Sequence, residues 1–379
     1  MREYILVFLV AAAATYLLTV VAREIALRTG AVARVRDRDV HAEPIPYLGG
    51  VAMLGGLVAA FLVAQHLPFL SRSQPFVFHD ARIVLIAGAM ICAIGALDDL
   101  FELDALTKLG GQVLAAGFLI LNGIQYILFP APHGGQFSLD SAQGALLTAF
   151  VVVATMNAVN MVDGLDGLAT GVVGIGALAF FAFCYQLLSL NNASLASTGA
   201  LLSAMLAGAC AGFLPHNINP ARLFMGDSGS MLIGLVLSAS AITLTGQYSG
   251  GELSQGGNGS AASLAPTFLP LALPVTLLVV PIADLVLAVI RRTRAGRSPF
   301  APDKQHLHHR LLEIGHSQRR AVAIMWMWAA LVAGSTVVIS LYTGKLMWWG
   351  ITLATVLTVV LTFVLPLVHR PRLTRHESV

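Results

Sequence analysis

The chain is 379 residues long, 57% hydrophobic and 11% charged, with a formal net charge of +3. Soluble domains carry about a quarter charged residues, so this chain lacks the polar surface that a water-solvated domain of its length requires. The composition excludes a large soluble core and leaves the bilayer as the solvent.

A membrane crossing needs about 20 predominantly apolar residues. In chain order, eleven stretches qualify: 3–22, 47–66, 81–97, 109–129, 144–162, 168–188, 195–214, 229–246, 267–290, 321–342 and 346–368. A cleaved leader would precede a soluble domain. Here a second apolar run follows, so 3–22 is expected to remain as a span. Basic residues gather in cytoplasmic loops. Eighteen of the 22 Lys and Arg fall in one set of loops: Arg23–Arg38, Lys108, Arg222, Arg291–Arg320 and Arg370–Arg375. Eleven crossings therefore predict an N-terminus outside and a short basic cytoplasmic tail at 369–379. The expected fold is all-α, a polytopic membrane helix bundle of about 11 transmembrane helices forming one domain over 1–379. Gln247–Ser263 reads as a Gly/Ser-rich outer loop. No internal repeat is present, so an inverted-repeat transporter gains no support. Cys92, Cys184 and Cys210 sit in apolar runs without motif spacing and read as packing residues.

The polar residues then fall into five clusters, all assigned to the cytoplasmic face. His41-Ala42-Glu43-Pro44-Ile45-Pro46-Tyr47-Leu48-Gly49-Gly50 makes an irregular entry to the second span. Asp98-Asp99-Leu100-Phe101-Glu102 closes the third. Adjacent carboxylates at a membrane boundary repel and are poorly solvated, so a cation should compensate, either Mg2+ or Lys108. Asn157, Asn160, Asp163 and Asp166 recur at intervals of three, and at helical spacing each amide or carboxylate pair shares a face. Phe224-Met225-Gly226-Asp227-Ser228-Gly229-Ser230 opens the eighth span. Asp227 there is read either as a helix cap or as a metal-binding carboxylate. Pro302-Asp303-Lys304-Gln305-His306-Leu307-His308-His309-Arg310 forms a cationic hydrogen-bonding loop that suits a pyrophosphate. A zinc site is the rival, but no Cys joins the histidines and the carboxylates favour a hard cation.

These motifs, in this order and on one face, resemble the polyprenyl-phosphate N-acetylhexosamine-1-phosphate transferase superfamily (glycosyltransferase family 4). The resemblance runs from about His41 to Arg320. The A-P-D-K-x-H-L-H-H-R-L stretch is most similar to the undecaprenyl-phosphate GlcNAc-1-phosphate transferase branch. The resemblance implies transfer of N-acetylhexosamine-1-phosphate, here GlcNAc-1-phosphate, from UDP-N-acetylhexosamine to undecaprenyl phosphate. The products would be polyprenyl-diphospho-sugar and UMP, as the first membrane step of a cell-surface glycan such as O-antigen or a teichoic-acid linkage unit. It implies Mg2+, with Mn2+ as a substitute, held by Asp227 with Asn160. On the resemblance, Asp98, Asp99 and Asp227 would take catalytic roles, with Asp98 or Asp99 accepting a proton from the lipid phosphate; a covalent route in which an aspartate attacks first is the alternative. Lys108 would face phosphate, while Asn157, Asp163, Asp166, His306, His308, His309 and Arg310 would bind substrate. The expected setting is a bacterial inner membrane, with the lipid bilayer as a partner, a homodimer allowed and no nucleic acid. Two residues depart from the pattern: Tyr47 stands where relatives carry a basic residue, and Glu102 where Asp or Asn is common. The alternatives are a phospho-MurNAc-pentapeptide transferase, a membrane prenyltransferase, for which a second aspartate-rich motif is missing, and a transporter.

Overall fold

In lipid each backbone N–H must bond within its own segment, so long apolar runs become uninterrupted helices. The structure is a computed structural model that describes residues 1–32, 45–72, 75–130, 136–191, 194–246, 293–294, 317–341 and 344–364. In chain order come α1 (Arg2–Thr29), α2 (Gly49–Ala64), the short α3 (Pro68–Ser71), α4 (Pro75–Phe101) and α5 (Ala105–Leu121). A hairpin of β1 (Leu128–Pro130) and β2 (Gln136–Ser138) follows. Then come α6 (Ser141–Val162), α7 (Leu168–Asn191), α8 (Ser197–Asn217), α9 (Gly226–Ala241), α10 (Gln318–Leu341) and α11 (Lys345–Val359).

Among the described residues, eight helices are long and apolar enough to cross a membrane, and α2 and α5 are shorter apolar helices. Ten of the eleven predicted stretches thus coincide with helices. The ninth, 267–290, lies outside the described residues, as does the Gly/Ser-rich loop. One predicted boundary is wrong. The stretch expected to run to 129 stops being helical at Leu121. Gly123 turns the chain at φ +88, and Thr148 Oγ1 on α6 accepts from Tyr126 N at 2.9 Å. The apolar residues beyond pair as an antiparallel hairpin, with Phe129 opposite Phe137. Apolarity alone does not separate a strand from a helix end, so the fold is helical with one small hairpin added.

The central helices are α8 and α9. α9 is buried from Ser228 to Ala241, with α2, α4, α6 and α8 packed around it. Its serines cause no deficit there. Ser238 Oγ donates to Gly234 O at 3.0 Å and Ser240 Oγ to Val236 O at 2.6 Å, one turn back. α1 packs against α2 and α8, and α7 against α8 and α10. Small residues bring these backbones close: a Cβ on Gly212 of α8 would stand 2.9 Å from Ala12 Cα of α1. A Cβ on Gly117 of α5 would meet nothing within 4 Å. Gly212→Ala should therefore lower the thermal midpoint of the detergent-solubilised protein, by an overpacking cost of ~1–3 kcal/mol. Gly117→Ala should leave it level or raise it slightly.

Candidate active site

Successive helices run in opposite directions, so the end of α4, the start of α5, the end of α6 and the start of α9 meet at one end of the bundle. Each contributes a polar side chain. Lys108 Nζ lies 2.5 Å from Asp98 Oδ2 and 3.0 Å from Asp227 Oδ2. Asn160 Nδ2 donates to Asp227 Oδ1 at 2.8 Å and to Ser230 Oγ at 3.0 Å. Asp98 is only 7% exposed, and a buried carboxylate without a partner is strongly destabilising. The Lys108 ammonium supplies the missing charge to two carboxylates at once. Its position follows from local sequence. The chain bends at Glu102, φ +50, while Leu103 N donates to Asp98 Oδ1 at 2.7 Å. Asp104 then caps α5 by accepting from Thr107 N, which puts Lys108 in the first turn.

Asp99 points elsewhere. Its Oδ1 accepts from Asp227 N at 2.8 Å and its Oδ2 from Ser228 N at 3.3 Å. These are unsatisfied donors of the first turn of α9. The approach needs glycine at 226, which sits at φ +70. On the other side of that turn, Gly49 N and Gly50 N of α2 donate to the carbonyls of Phe224 and Met225, both at 3.1 Å.

One turn deeper lies a residue that the sequence reading missed. Gln112 is buried. It accepts from Asn157 Nδ2 at 2.7 Å, and donates toward Asn157 Oδ1 and Met231 Sδ at 3.4 and 3.3 Å. Asn157 remains exposed, but its amide is engaged at both ends by α5. The available signal was spacing: Gln112 follows Lys108 by four and shares its helix face. The pair ties α5 to α6 beneath Lys108 and Asn160.

Asp163 and Asp166 do not share a helix face, contrary to expectation. α6 stops at Val162, and the chain turns through Gly167 at φ +76, so the two carboxylates diverge. Burial, with like charge from Asp227, Asp99 and Asp166, pushes the Asp163 carboxyl up to about 8. Asp166 instead meets the loop after α8. Its Oδ2 accepts from Asn219 Nδ2 and Ala221 N, both at 3.0 Å. Asn219 also donates to Gln318 Oε1 at 2.8 Å, and its carbonyl accepts from Arg319 Nε at 2.9 Å. Buried Asn217 accepts from Gly167 N and Thr170 Oγ1, at 3.1 and 2.9 Å. Trp326 Nε1 of α10 donates to Gly167 O at 3.2 Å. Asn217, Asn219 and Trp326 were not anticipated; the Asn217-Ile218-Asn219-Pro220 run was the readable hint. The expected substrate contacts His306, His308, His309 and Arg310, and the His41–Glu43 segment, lie outside the described residues.

Among the described residues, no three His, Cys, Asp or Glu side chains converge as a metal cage. Mg2+ seldom needs one: it takes one or two carboxylates and completes its shell with water and substrate phosphates. Asp227, with the Asn160 amide beside it and Asp98 across Lys108, is an oxygen-rich set of that kind, so the residues fit the ion.

The family model for glycosyl transferase family 4 matches residues 81–245, which contain Asp98, Asp99, Lys108, Gln112, Asn157, Asn160 and Asp227. A decaprenyl-phosphate N-acetylglucosaminephosphotransferase of Mycobacterium tuberculosis is 47% identical over 337 residues, 88% of this chain and 81% of that protein. The chain belongs to glycosyl transferase family 4. The Mycobacterium leprae protein of the same name is 45% identical over 88% of this chain and 83% of its own length. An undecaprenyl-phosphate alpha-N-acetylglucosaminyl 1-phosphate transferase of Yersinia pestis is 29% identical, over 83% of this chain and 78% of its own. This family member is accordingly a multi-pass helical membrane protein.

Two outcomes follow. Gln112→Leu removes the α5 partner of the Asn157 amide, which keeps its bond to Val153 O at 2.8 Å, and should cost ~0.5–1.5 kcal/mol in detergent unfolding. The double variant Gln112→Leu/Asn157→Leu should recover part of that loss. For Asp163, a folded value above the ordinary carboxylate range means that the folded state holds its proton longer, so stability drains away as pH rises toward 8. Without divalent ions, Asp163→Asn should lose less thermal stability than the parent between about pH 5 and pH 8.

Proposed function

We propose that this protein transfers GlcNAc-1-phosphate from UDP-GlcNAc to a polyprenyl phosphate, giving polyprenyl-diphospho-GlcNAc and UMP. The observation that carries the reading is the convergence of Asp98, Lys108, Asn160 and Asp227 from four helices at one end of the bundle. The relatives named above, each a polyprenyl-phosphate GlcNAc-1-phosphate transferase, support it. A phosphate oxygen of the lipid attacks the β-phosphorus of the donor. The bond from that phosphorus to the UMP oxygen breaks, and UMP leaves with the electron pair. Several anionic groups approach one another, so neutralising charge is the main catalytic task.

Lys108, already between two carboxylates, can turn its ammonium to the lipid phosphate and hold it beside the donor. Asp98 can accept the proton that a monoprotonated lipid phosphate carries. Asp227 and Asn160 would hold Mg2+, or Mn2+ in its place; when bound, the ion supplies positive charge to the donor diphosphate. The arrangement suits a site on the cytoplasmic face of a bacterial inner membrane, N-terminus outside, because the acceptor tail stays in lipid while its head reaches the helix ends. For the acceptor we favour decaprenyl phosphate over undecaprenyl phosphate, since the relatives at 45–47% identity carry the decaprenyl name and that at 29% the undecaprenyl one.

The test is a transfer assay on the purified full chain with radiolabelled UDP-GlcNAc, Mg2+ and each lipid in turn. Lipid-linked label and released UMP are expected, lost with EDTA and reduced at least ~100-fold in Asp227→Ala. A folded protein that labels neither lipid from UDP-GlcNAc or any other UDP-N-acetylhexosamine would overturn the reading.

A further inference from the structure

The two adjacent aspartates differ in what they touch. Asp98 meets an ammonium; Asp99 meets the first turn of α9, through the backbone N–H groups of Asp227 and Ser228 and the Ser228 side chain. We infer that Asp99 is a positioning residue: its carboxylate fixes the first turn of α9 and thereby the place of Asp227, while Asp98 alone faces the reacting groups. This rests on the transferase reading for what Asp227 does, but the geometry stands without it.

Three observations carry the inference. First, both Asp99 oxygens receive N–H groups of α9, one of them from Asp227 itself at 2.8 Å. A carboxylate at a helix N-terminus satisfies unpaired donors and opposes the positive end of the helix dipole. Second, the surroundings leave no slack. A Cβ on Gly226 would stand 2.8 Å from the Asp99 carboxyl carbon, and one on Gly95 2.6 Å from Asp227 C. On the α2 side, a Cβ on Gly50 would stand 2.6 Å from Gly229 Cα. Three glycines thus let α2 and α4 reach the backbone of α9, and Asp99 locks the result. Third, Asp227 has little freedom of its own to compensate: its two oxygens are already divided between Lys108 and Asn160. A shift of the turn by about an ångström would break one of these bonds, and misplacement on that scale costs ~100-fold in rate.

The residue types predict a graded response. Asn at 99 keeps an oxygen for the Asp227 N–H and gives up only the longer bond to Ser228. Leu gives up both. A group acting as a base or as a charged metal ligand would lose its function with Asn as fully as with Leu.

The experiment compares Asp99→Asn, Asp99→Leu, Gly226→Ala and the double variant Asp99→Leu/Gly226→Ala in the full-length, detergent-purified protein. Two readouts are taken: kcat and KM for transfer, and the Mg2+ concentration that half-saturates thermal stabilisation without substrates. Asp99→Asn should lose ~10-fold in kcat and Asp99→Leu ~100-fold, with little change in donor KM. The Mg2+ half-saturation should rise in the same order. The double variant should be worse than Asp99→Leu by less than the full Gly226→Ala loss, because the two changes share the Asp99 contact while the alanine adds its own strain at φ +70.

Asp99→Asn as inactive as Asp99→Leu, or a double variant whose losses multiply, overturns the inference, as does an unchanged Mg2+ half-saturation in Asp99→Leu. If both Asp99 variants fail to fold, Gly226→Ala alone decides: it must raise the Mg2+ half-saturation while leaving Asp99 in place, and an unshifted value overturns the inference. If wild type transfers nothing, the proposed function falls, and the Mg2+ titration still decides whether Asp99 sets the position of Asp227.

Discussion

Everything at the functional end of this molecule depends on one ammonium shared by two carboxylates. Asp98 and Asp227 come from helices that meet at the edge of an apolar medium, where an unpaired charge is expensive. Lys108 removes that cost for both and draws α4, α5 and α9 to a common point. The Gln112–Asn157 amide pair fixes α5 on α6 one turn deeper, so the lysine approaches from a set direction. A lysine held between two anions can also turn its ammonium toward a third.

The second constraint is steric. A helix can bring a carboxylate to another helix's first turn only if the backbones nearly touch, and here glycines at 50, 95 and 226 allow it. The stretch around Gly49–Gly50, read from the sequence only as an irregular entry to the second span, gains its meaning from this contact: its N–H groups hold the carbonyls of Phe224 and Met225. The start of α2 thus helps to position the turn that carries Asp227.

The helical bundle was legible from apolar run length, and the convergence of acids on one face from the distribution of basic residues. Asp98, Lys108, Asn160 and Asp227 could be singled out because charged and amide groups inside apolar runs are costly and need a reason. What the sequence hid was direction. Three-residue spacing suggested that Asp163 and Asp166 act together, yet spacing has that meaning only within a helix, and α6 ends between Val162 and Asp163. Likewise the Asp98-Asp99 pair gives no hint of its division, because neighbours on a helix point about 100° apart and only the packing of α9 decides what each one meets. Gln112 escaped notice because one amide in an apolar run resembles an ordinary polar interruption.

The enclosure of α9 bears on biogenesis. A segment that ends up ringed by α2, α4, α6 and α8 meets lipid only during insertion, before its neighbours close around it. Its hydroxyls at Ser238 and Ser240 already return to carbonyls of their own helix, so the nascent segment carries no unpaired donor there into the hydrocarbon while it waits. The charged end is different: Asp227 finds its partners only when α9 docks against α5 and α6. The helix that carries Asp227 is thus self-sufficient along its length and dependent at its tip, which couples the docking of α9 to the completion of the site.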